Sequence, residues 1–135
     1  MIRDDLRARI DLIEEAYEFL LAYAAQGVSG DKGAKSGGDL RSYLGRFGDA
    51  LDGLGDLFVE LVQEESIDSA DELLAYLEVL DRDAKSSLAA VRLVDAQSSV
   101  SSALVDNFNG SIHVRALLTD VFLVDEILKL LPPAE

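Results

Sequence analysis

The sequence predicts an all-α protein, an antiparallel four-helix bundle with one short extra helix near residues 99–107. Three observations carry this expectation. Apolar residues recur at alternating spacings of four and three over long stretches, the period of one face of an α-helix. The only two prolines, Pro132 and Pro133, stand near the end, so 131 consecutive residues hold no breaker of that kind. Glycine punctuates instead, with Gly27, Gly30, Gly33, Gly37 and Gly38 clustered between two periodic segments.

A first helix is expected from Ile2 to about Gln26, on the seam Leu6, Ile10, Ile13, Tyr17, Leu20 and Ala24, with Gly27 as its stop. A second stripe, Leu12, Ala16, Phe19 and Tyr23, follows the same spacing on the far side. A helix with two apolar sides has to be covered on both, by the rest of the bundle or by a partner. Residues 27–38 read as a flexible glycine-rich loop with almost nothing to bury. A second helix is expected from Asp39, a good N-cap, to about Glu65, on Leu40, Leu44, Phe47, Leu51, Leu54, Phe58 and Leu61.

Four glycines inside that stretch would each cost about 1 kcal/mol relative to alanine, so they need a reason. Gly48 and Gly55, seven apart on one flank of the seam, suit the close approach of a neighbouring helix. Ser69 with Glu72 reads as a capping box opening a third helix that continues to about Ala96. A short helix follows over about Ser99–Asn107. After the Asn109-Gly110 turn, Ser111 caps a last helix that ends near Leu131.

The 135 residues make one domain, 1–135, long enough to bury about two-thirds of the unfolded surface. With no cysteine there is no disulfide, thiol chemistry or cysteine-ligated zinc, and one histidine removes most His-based metal sites, so no cofactor is expected. The excess of 26 acidic over 12 basic residues, net −14, argues against a nucleic-acid partner. No run reaches the ~18 apolar residues of a membrane span. Arg3, Asp4, Asp5, Arg7 and Arg9 interrupt any leader-like segment, so a cytoplasmic location is expected. Residues Gly30–Ser36 lack the Gly-Lys-Ser/Thr order of a phosphate loop and follow a helix rather than a strand.

The last helix, drawn as a wheel, places Leu117, Val121, Val124, Ile127, Leu128 and Leu131 on one side. Two polar residues, His113 and Asp120, fall inside that apolar arc, while Leu118 and Phe122 point toward solvent. A buried Asp120 requires a Tyr, Arg or Ser from another helix, because an unpaired buried charge costs several kcal/mol or is neutralised. Asp120 is therefore a polar latch or a carboxylate with a shifted pKa.

The expected function is protein–protein contact without catalysis, as a homodimer or an accessory subunit. The candidate interface is Leu12, Phe19 and Tyr23 on the first helix with Leu118 and Phe122 on the last, its association strengthening as salt screens the acidic chains. The alternative is a histidine phosphotransfer protein using His113. Such proteins are small helical bundles with one reactive, solvent-facing histidine, although Arg115 at the second following position and the absence of a nearby glycine depart from their His-x-x-Lys-Gly pattern. A third reading is a small-molecule-binding bundle, walled by the Gly48/Gly55 flank.

Overall fold

A computed structural model describes residues 1–67 and 70–130. Six helices carry the described residues: α1 (Ile2–Ala25), α2 (Gly37–Leu51), α3 (Leu54–Glu64), α4 (Ala70–Asp95), α5 (Ser102–Asn109) and α6 (Ile112–Leu130). No strand is present among the described residues. Ser69 of the expected capping box, Leu131 and the proline stop lie outside the described residues.

α1 ends where the sequence places its stop, with Gly27 in the left-handed region at φ +68°. It packs against α2, α5 and α3. Its first seam buries Leu6, Ile10, Ile13 and Leu20. Its second stripe is not spare. α2 covers it with Tyr43, whose ring stacks on Phe19 at 4.5 Å between centroids. The Tyr23 hydroxyl donates to the Val100 carbonyl at 2.7 Å just before α5, and Tyr23 is wholly buried. Leu12 and Phe19 are half-buried against the core. The bundle itself wraps this helix, so Leu12, Phe19 and Tyr23 are core or core-edge residues rather than an external interface.

α2 and α3 correct the single helix expected over 39–65. The chain turns at Asp52-Gly53, with Asp52 extended (ψ 117°) and Gly53 at φ +71°, a conformation that costs an L-residue but not glycine. The apolar seam runs straight through this break, which is why periodicity does not reveal it. Arg9 of α1 supports the turn by donating to the freed Asp52 carbonyl at 2.6 Å. α2 also begins earlier than expected, with Ser36 rather than Asp39 at its N-cap.

The other helical glycines differ sharply. A Cβ on Gly55 would stand 2.6 Å from Cβ of Asp81 on α4, so the Asp81 side chain packs directly onto the α3 backbone there. Gly48 faces Leu88 and Val91 of the same helix, but at 3.5 and 3.8 Å, ordinary contact distances. Gly45 faces open space. Gly55→Ala is therefore expected to lower stability, because Cβ of Asp81 cannot swing aside; overpacking of this kind costs about 1–3 kcal/mol. Gly45→Ala should instead raise it by up to about 1 kcal/mol through helix propensity alone. Thermal melts of the two variants should move in opposite directions.

The glycine-rich segment contains two buried residues, Asp31 and Gly37, with Val28 half-buried against the core, against the expectation of almost nothing to bury. The buried Asp31 is the polar one. Its Oδ1 accepts from the Val100 amide at 2.7 Å, and its Oδ2 from Nε of Arg41 at 2.8 Å. The same guanidinium donates to the carbonyls of Asp95 (2.6 Å) and Gln97 (2.8 Å), tying off the C-terminal end of α4. Ser102 completes the clasp. Its hydroxyl donates to the Tyr23 carbonyl at 2.6 Å, and its backbone N–H donates to the Val28 carbonyl at 2.9 Å. These residues bring the loop, the end of α4 and the start of α5 together over the end of α1.

Candidate functional site

α4 and α6 run antiparallel. The Ser87 hydroxyl donates to the His113 carbonyl at 2.9 Å, while Tyr76, earlier on α4, reaches Asp120, later on α6. The second contact builds the most polar spot in this layer. Asp120 is 4% exposed, and its Oδ1 accepts from the Tyr76 hydroxyl at 2.6 Å. Asp83, seven residues after Tyr76 and so on the same face of α4, brings a second carboxyl to Asp120. Asp120 Oδ2 is buried with no hydrogen-bond partner among the described residues.

Burial pushes the Asp120 carboxyl up to about 6, and Asp83 acts in the same direction, against the opposing hydrogen bond from Tyr76. The hydrogen bond to Asp120, helped by burial, drives the Tyr76 phenol up to about 12. Below about pH 6 Asp120 carries a proton, and the protonated carboxyl removes the cost of an unpaired buried charge at Oδ2.

Neither Tyr76, Asp83 nor Asp120 lines any of three surface cavities, of about 270, 220 and 510 Å³. The first lies between α1, α3 and α6. Its rim cations are already engaged: Arg3 is bidentate to Glu65 at 2.6 Å, and Arg7 and Lys129 both hold Asp125. Gly48 and Gly55 wall none of the three; Gly55 is pressed against Asp81, which leaves no room for a ligand there. Among the described residues, no three His, Cys, Asp or Glu are grouped to hold a metal ion.

The placement of His113 is a correction. It lies about 20° from Asp120 on the helix wheel, at the same edge of the buried arc, yet it is exposed. The reason lies on α4. Asp120 has the long Tyr76 over it, whereas small Ser87 stands opposite His113 and takes only its carbonyl. Leu118 is also corrected: it is buried, because α6 turns that flank toward α5 and α1, where Arg7 holds the neighbouring Asp125 at 2.8 Å.

Phe122 does face solvent, at 43% exposure, and it has company that the wheel did not single out. Ile112 (76%), Leu123 (46%) and Ile127 (38%) are exposed on the same helix, with Ala116 half-buried between them. The spacing 112, 116, 123, 127 carries the signal in the sequence. Ile127, expected on the buried side, is a correction: it sits at the exposed edge of that arc. No described helix is long and apolar enough to cross a membrane. Comparison with known protein families, curated proteins and solved structures finds no match to this chain.

Proposed function

We propose that this protein acts through protein–protein contact, as a self-associating or accessory subunit, and that its working surface is the outer face of α6. In this reading α1, the α2–α3 pair, α4 and α6 are the four rods of an antiparallel bundle, with α5 as the short extra helix. One observation carries the proposal: three large apolar side chains, Ile112, Leu123 and Ile127, stand in water within about 60° of one another on one outer helix, with exposed Phe122 on its far flank beyond Arg115 and Glu126. Contiguous exposed apolar surface of this kind marks interaction sites. The buried Tyr76–Asp120–Asp83 group, away from the three cavities, supports a latch between α4 and α6 rather than a reacting centre.

A photo-crosslinking residue at position 123 tests the reading, with position 82 on exposed Arg82 as control. The expected result is one discrete adduct, identified by mass spectrometry, from position 123 and none from position 82. Equal or absent adducts at both positions would overturn it. A second reading is phosphotransfer at His113, favoured by the exposure of its ring on the first turn of α6. An acid-labile phosphoryl group on His113 after incubation with acetyl phosphate, together with no adduct at 123, would reverse the ranking.

A further inference from the structure

The stripe on α6 is self-complementary, and we infer that its occupant is a second copy of this chain, docked antiparallel along α6 about a two-fold axis near Thr119. This deepens, and rests on, the contact reading above. In an antiparallel pair of identical helices, position i faces position j of the partner wherever i and j share one sum. Ile112 with Ile127, and Ala116 with Leu123, share it. The stripe thus meets itself in register, each large side chain opposite an apolar one, as an isologous interface requires.

The charges agree. Arg115 and Glu126 are exposed on the same flank of this stripe, about 20° apart on the wheel. Same-side flanks face each other in an antiparallel pair, so Arg115 of one copy reaches Glu126 of the other. The symmetry repeats the contact. The register differs from that of the stripe by only two residues in the sum, a few ångströms that an arginine spans. Lys129, further round on this side, is held by Asp125 of its own chain at 3.2 Å, so the contact charges are Arg115 and Glu126, which balance. This face therefore lets two copies of net charge −14 approach with attraction at the contact. Asp120, at the edge of the stripe, is spent on Tyr76 of its own chain. A single helix pair is a small interface, so the dimer is a weak, transient one.

Charge exchange within the one chain tests the geometry. Sedimentation velocity on the full chain should show a concentration-dependent dimer. Arg115→Glu and Glu126→Arg each convert two attractions into two repulsions, and each should weaken the dimer at least about tenfold. The double variant R115E/E126R restores opposite charges across the axis, and its Kd should return to within about threefold of the parent. All three variants should melt with the parent, since both residues are exposed. A parent chain that stays monomeric at several hundred micromolar, or a double variant no better than the singles, would overturn the second-copy proposal. If the crosslinker at 123 then captures a different protein, the contact reading survives without it; if it captures nothing, both fall.

Discussion

Arg41→Ala is expected to lower the melting temperature by roughly 10 °C. Its guanidinium donates to Asp31 on one side and to Asp95 and Gln97 on the other, joining segments far apart in the chain. Removal leaves the Asp31 carboxylate buried with the Val100 amide as its remaining donor, at 2.7 Å, among the described residues. Breaking a buried ion pair by removing one partner costs about 3–5 kcal/mol. Arg41 is itself partly exposed, so about 3 kcal/mol is the appropriate figure. For a chain of this length that corresponds to roughly 10 °C. Arg41→Lys keeps the charge but not the fork, so it should recover less than half of the loss.

The acid limb of stability should change with it. Arg41 holds the Asp31 carboxyl below its usual range, with the Val100 amide in support. A depressed carboxyl contributes stability above its unfolded pKa, about 3.9, and loses it as pH falls through the lower folded value. Parent and Arg41→Ala should therefore converge in strongly acidic solution and separate above about pH 4. Melting temperatures within 2 °C at neutral pH would show that the clamp carries little (about 0.6 kcal/mol).

Asp120→Asn should raise stability, and only on one side of a defined pH window. The Asp120 carboxyl titrates at about 6 in the folded chain, against about 3.9 unfolded. Between those values the folded state holds the extra proton, so stability falls as pH rises from about 4 through about 6. Asparagine keeps an oxygen for the Tyr76 hydroxyl, offers an N–H₂ toward Asp83, and cannot ionise. At pH 7.5 the variant should exceed the parent by about 2 kcal/mol, and at pH 4 the two should agree. Asp120→Ala removes the acceptor and should instead cost about 1–3 kcal/mol at pH 4, where Asp120 is neutral and its bond to Tyr76 is intact. Superimposable pH profiles for the parent and Asp120→Asn would show that the Asp120 carboxyl is not raised in the folded chain. No effect of Asp120→Ala at any pH would mean that the latch with Tyr76 contributes nothing.

The amino-acid sequence alone determined that the chain is helical, where α1 starts and stops, and which seam of α1 through α4 is apolar. It also marked Asp120 as a polar residue within a buried arc. These are properties of residues three and four apart, and spacing records them directly. Only the tertiary structure decided what covers each face. Tyr43 and the segment before α5 cover the second stripe of α1, so Phe19 and Tyr23 are not a free surface. Tyr76 over Asp120 and Ser87 opposite His113 give two residues on one arc opposite fates. The Gly53 turn sits inside an unbroken apolar seam, and the Asp31–Arg41 clamp closes on Val100, sixty-nine residues beyond Asp31. A periodic pattern states that a face is apolar; the identity and length of the side chain brought opposite it depend on contacts between distant segments, which no local spacing encodes.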